Sequence, residues 1–107
     1  MEKRQSQRKD LRVKAILTLE NGMKMTVKTS DIGKFGLGVT GVLRQLDIGQ
    51  AVHVAFEMPF SGQIHNISVN GRVSHCTDTP YDGFRTGVQF ADTNSESVSI
   101  LSQYVGG

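Results

Sequence analysis

Two arginines four residues apart, Arg8 and Arg12, stand in a strongly basic segment at the start of the chain. Six of the twelve Lys and Arg residues fall within positions 1–14: Lys3, Arg4, Arg8, Lys9, Arg12 and Lys14. Against Glu2 and Asp10 they give that segment a net charge of +4. The remainder carries six basic and eight acidic residues and is −2, so the positive charge is local. A basic arm on a mildly acidic body suits the capture of an anion. Arginine's planar fork can grip a phosphate, or the O6/N7 edge of a guanine, through two parallel hydrogen bonds, which lysine cannot do. On a helical turn the i, i+4 spacing would place both arginines on one face, and in a tight arm they can still close around one ligand. The plainer alternative is a solvated tail whose charge serves solubility.

A second stretch, Ser30 to Val39, carries three glycines within six residues: Gly33, Gly36 and Gly38. They interrupt the surrounding strand pattern, and the segment reads as an ordinary bulge or turn, or as a loop whose backbone N–H groups can approach an anion. Asp31 at its head can accept hydrogen bonds from the N–H edge of a guanine, or close an Asx turn within its own loop. The spacing is neither a Walker loop nor a dinucleotide fingerprint. His53, His65, His75 and Cys76 match no zinc spacing, so no metal or other cofactor is expected. No Ser/His/Asp or Cys/His set is anchored to a recognisable motif, so catalysis is not expected.

The elements that must position these residues are mostly strands. At 107 residues the chain is one domain, and 37% hydrophobic residues allow a modest core. Leu11, Val13, Ala15, Leu17 and Leu19 alternate with polar neighbours, and Asn21-Gly22 marks a hairpin into Met23, Met25 and Val27. Val52 to Met58 alternates next and stops at Pro59, then Ile67 to Val73, and a Pro80-Tyr81-Asp82-Gly83 turn leads to Phe84–Phe90. Thr93-Asn94-Ser95-Glu96 has capping-box form, with Val98, Leu101, Tyr104 and Val105 at helical spacing behind it. The expectation is an all-β fold, a small six-stranded antiparallel split barrel with a short C-terminal helix. A lone cysteine, no apolar run of membrane-spanning length and no apolar signal region predict a soluble cytoplasmic protein.

Taken together the two motifs resemble the PilZ domain family. An RxxxR motif matches Arg8-Lys9-Asp10-Leu11-Arg12, and (D/N)xSxxG matches Asp31-Ile32-Gly33-Lys34-Phe35-Gly36 at its first and last positions, with Gly33 in place of the serine. Gly71-Arg72-Val73 and Gly87-Val88-Gln89-Phe90 look like the family's closing strands. The resemblance implies a basic arm over residues 1–12 and a barrel domain over 8–107. It also implies cyclic di-GMP as ligand, held by Arg8, Arg12, Asp31, Gly33 and Gly36. Arg4, Gln7, Lys9 and Ser30 are accessory candidates. The implied function is a stand-alone receptor without catalysis, a monomer or weak dimer, whose bound state an effector protein reads in trans. Motility, adhesion and exopolysaccharide control are the outputs the resemblance implies. Two alternatives are a protein-interaction module without ligand and an oligonucleotide-binding barrel. The latter usually wants exposed aromatics, and the chain has no Trp.

Overall fold

The computed structural model describes residues 8–92 and 94–106. Seven strands and one helix follow in order: β1 (Arg8–Asp10), β2 (Lys14–Leu19), β3 (Lys24–Gly33), β4 (Gly36–Val42), β5 (Ala51–Phe60), β6 (Gln63–Thr79), β7 (Gly83–Phe90) and α1 (Glu96–Gly106). All pairings are antiparallel. Strands β3-β2-β5-β6-β7-β4 close on themselves through the β3–β4 pairing, which gives the six-stranded barrel and removes its edges. The short β1 is the seventh strand and, among the described residues, pairs only with the far end of β3.

Alternation decides what lies inside. Ala15, Leu17 and Leu19 from β2, Met25 and Val27 from β3, Val52 to Met58 from β5 and Ile67, Val69 and Val73 from β6 fill one core. Val98, Leu101 and Val105 bury one stripe of α1 against it. The helix is capped by Ser95, whose Oγ accepts the Val98 N–H at 3.1 Å. This moves the cap two residues beyond the expected Thr93, which lies outside the described residues, and Glu96 becomes the first helical residue.

Turns and strand ends differ in places from their sequence signals. Asn21-Gly22 does close a hairpin, but only Gly22 has positive φ. The loop therefore spans Glu20–Gly22, with the Gly22 N–H donating to the Leu19 carbonyl and the Leu19 N–H to the Met23 carbonyl. The two-residue turn with both φ positive is Ser61-Gly62, joining β5 to β6. Strand β5 also runs through Pro59. Past Phe56 it pairs with β6 alone, and on such an edge a residue without an N–H is tolerated. The glycine-rich stretch takes the form of a bulge and turn. It is a tight β3–β4 hairpin with only Lys34 and Phe35 between the strands, not a loop. Among the described residues no helix is long and apolar enough to cross a membrane.

Candidate functional site

The join between β1 and β2 sets the position of the arm. Thr29 is buried, and its Oγ1 accepts the Val13 N–H at 2.9 Å and donates to the Leu11 carbonyl. Its own N–H donates to the Val13 carbonyl at 2.9 Å. The side chain thus satisfies backbone groups where the chain leaves the ladder between β1 and β2. Beyond that joint, Arg8–Asp10 pairs with Gly33–Asp31, so the arm from Arg8 onward is part of the sheet.

Alternation along β1 then separates its side chains. Arg8 turns towards Asp31, and its Nε donates to Oδ2 at 2.7 Å. Lys9 turns the other way, with Nζ 4.5 Å from the centre of the Tyr104 ring and donating to the Tyr104 carbonyl at 3.3 Å. Lys9 therefore braces the arm on α1 and does not line the cleft. Tyr104 Oη completes the brace by donating to the Asp10 carbonyl at 3.0 Å.

A register shift between Thr29 and Asp31 marks a bulge in β3. A bulge places consecutive side chains on one side of a strand, and Ser30 and Asp31 share a wall: Ser30 Oγ donates to Asp31 Oδ1 at 3.2 Å. The hydrogen bond from Arg8 holds the Asp31 carboxyl below its ordinary range against the opposing effect of partial burial. The Arg8 charge, Ser30 and the more distant Arg85 act in the same direction as that bond.

This wall borders an open cleft of about 630 Å³ whose floor is backbone. Gly38 of β4 pairs with Asp31 on one side and with Gly87 of β7 on the other, and Gly36 lies beside them. A Cβ at Gly38 would stand 2.6 Å from Asp31 Oδ1 and 2.7 Å from Ser30 Oγ, and one at Gly36 would meet the Val88 carbonyl. Close approach, not positive φ, explains these glycines. The opposite wall comes from β6 and β7: His75, Arg85 and Gln89, with Phe35 of the hairpin tip 55% exposed at the rim.

The structure thus brings Arg8, Ser30, Asp31 and Gly36 together at one cleft. Arg12 is exposed in the connection before β2 and is not on the cleft wall, and the helical turn that would have aligned it with Arg8 is absent. Gly33 is buried opposite Arg8 and also lies off the wall. Arg4 and Gln7 lie outside the described residues. Sequence analysis missed His75, Arg85 and Gln89. The signal was present on β7, where Arg85, Gly87 and Gln89 alternate on one face and a glycine between two polar residues marks a close approach. Among the described residues no three His, Cys, Asp or Glu side chains cluster as metal ligands.

Two solved structures share the architecture. The Bacillus subtilis inhibitor of motility MotI/DgrA superposes with a TM-score of 0.80 at 15% identity, over 97% of this chain and 50% of its own. The PilZ domain of Escherichia coli YcgR with c-di-GMP superposes with a TM-score of 0.76 at 10% identity, over 97% of this chain and 89% of its own. The present chain therefore spans half the length of the first. No curated protein matches the sequence. The PilZ domain model matches residues 2–107, and with the barrel, the paired motifs and the cleft they border, the chain belongs to the PilZ domain family.

Proposed function

We propose that this chain is a receptor for cyclic di-GMP, captured at the glycine-floored cleft, and an adaptor whose bound state a partner protein reads in the cytoplasm. The observation that carries this is the Arg8–Asp31 ion pair. Residues 23 apart in sequence, one from each motif, meet at the mouth of a cleft of ligand size. Cyclic di-GMP offers two phosphates and two guanines. Arg8 engages Asp31 through Nε, which leaves both terminal nitrogens to donate to a phosphate or to guanine O6/N7. Asp31 both orients that fork and can accept from the guanine N–H edge. The bare floor lets a flat base approach the backbone of β4 and β7. Gly33 supplies no hydroxyl where the family motif has serine, and Ser30, on the same wall as Asp31, offers one in its place. In this reading Arg12 closes over the ligand from the β1–β2 connection, with Arg4 and Gln7 as accessories. The protein holds and releases its ligand unchanged, without catalysis, and its outputs are those of the family: motility, adhesion or exopolysaccharide control.

Calorimetric titration with cyclic di-GMP, GTP and a short single-stranded oligonucleotide tests the proposal. Saturable heat with the cyclic dinucleotide alone is expected. No heat even at millimolar cyclic di-GMP would make the chain a protein-interaction module, and heat with the oligonucleotide would make it a nucleic-acid binder.

A further inference from the structure

A second surface lies at the other end of the β3–β4 hairpin. There Lys14 of β2 and Lys28 of β3 are register partners, both exposed, so two ammonium groups stand directly opposite each other on the outside of the barrel. Like charges in that arrangement repel and weaken the pairing. Neither forms an ion pair among the described residues, where Arg8–Asp31 is the sole one. Asp82 also lines the groove, leaving it two basic residues against one acidic, and its backbone carbonyl accepts the Gly41 N–H at 2.6 Å.

The lysines line a groove of about 460 Å³ bounded by Leu43 and Tyr81. These are the two most exposed large hydrophobic side chains among the described residues, 80% and 95%. Their turns are packed together. Besides the Gly41–Asp82 bond, a Cβ at Gly83 would stand 2.7 Å from the Val42 carbonyl and 3.2 Å from the Gly41 carbonyl carbon. The Thr79 hydroxyl ties the base of the turn to the Gly83 carbonyl. An apolar pair held in place by its backbone loses little freedom on contact, which favours binding.

We infer that this groove docks a short acidic segment of a partner protein, its carboxylates meeting Lys14 and Lys28 and an apolar side chain lodging between Leu43 and Tyr81. Charge complementarity selects the occupant: paired lysines that outnumber the groove's one acid and form no ion pair among the described residues call for an anion, and the apolar rim calls for a side chain beside it. A single-stranded nucleic acid would want successive aromatic platforms, and this rim offers one aromatic and one aliphatic. The inference stands whether or not the cleft takes a nucleotide.

Selection of a displayed random peptide library on the full chain tests it, with binding then mapped on backbone amide resonances. Expected is a consensus of Asp or Glu around one bulky apolar residue, shifting amides of Lys28, Thr40, Leu43 and Tyr81. The double change Lys14→Glu and Lys28→Glu should weaken the selected peptide by roughly tenfold or more, and Tyr81→Ala by several-fold, while both variants keep the native amide spectrum. A selection without acidic enrichment, or yielding no binder, overturns the inference. So does equal binding to the charge-reversed chain, or preferential capture of a single-stranded oligonucleotide or phosphatidylglycerol vesicles by these residues.

Discussion

Arg8 stands directly opposite Gly33 in the β1–β3 register, and its guanidinium lies diagonally across to Asp31. Gly33 does not have positive φ, so a serine can adopt its backbone without strain. Gly33→Ser should leave thermal stability unchanged and tighten cyclic di-GMP by up to about tenfold, the worth of one neutral hydrogen bond. Calorimetry beside a melting curve checks both. Unchanged affinity would mean that position 33 does not meet the ligand.

Removing the forks is the direct probe of the arm. Arg8→Ala and Arg12→Ala should each cost about 1.5–3 kcal/mol of cyclic di-GMP binding, the range for charge-assisted hydrogen bonds. The melting temperature should hardly move, because ion pairs this exposed add little to folding. Normal binding by either variant would reduce its arginine to a solubilising charge. Arg12, off the cleft wall, carries the sharper risk.

The carboxyl of Asp31 titrates below its ordinary range because it accepts from Arg8. A group depressed in the folded state contributes stability above its unfolded titration range, and that contribution is lost as pH falls through the folded value. Cyclic di-GMP binding should therefore be flat across neutral and mildly acidic pH and weaken only below the usual carboxylate range. In Arg8→Ala the carboxyl midpoint of Asp31, followed by carbon NMR, should move upward. An unmoved midpoint would contradict the assigned cause.

Two floor glycines, Gly38 and the motif's own Gly36, should fail differently. A methyl at Gly38 meets the side-chain ends of Asp31 and Ser30, which can turn away, so Gly38→Ala should fold normally yet bind poorly. A methyl at Gly36 meets the Val88 backbone carbonyl, which cannot, so Gly36→Ala should cost about 1–3 kcal/mol of stability. Denaturant melts and ligand titration on both variants separate the cases, and identical behaviour would argue against a backbone floor.

Thr29→Val keeps the shape of the side chain but removes the hydroxyl that serves Val13 and Leu11. With buried backbone groups left unpaired, it should cost about 1–3 kcal/mol in a denaturant melt. A neutral result would mean that water takes over those bonds.

Much of the barrel was legible because period-two alternation is a direct record of burial: Ala15, Leu17 and Leu19, or Val52, Val54 and Phe56, could face one core in only one register. What escaped depended on contacts distant in sequence. The β3–β4 glycines looked like a loop because local propensity disfavours them in strands, whereas β7 and the Asp31 wall require bare backbone there. His75 and Arg85 belong to the cleft only because β7 pairs with β4 and β6 with β7, which no spacing within either strand reveals. Asn21-Gly22 and Ser61-Gly62 both closed hairpins, but Asn21 kept negative φ while Ser61 did not, a choice made by the strands on either side.

The brace between Lys9, Asp10 and Tyr104 joins positions about 95 residues apart. During synthesis, β3 can offer its edge to the arm long before α1 exists, but the second half of the grip must wait until Tyr104 has left the ribosome. With β3 as its one strand partner, β1 would then be the last segment to gain protection from hydrogen exchange and the first to lose it. Amide exchange on the Tyr104→Ala chain should show a closed barrel with an unprotected arm.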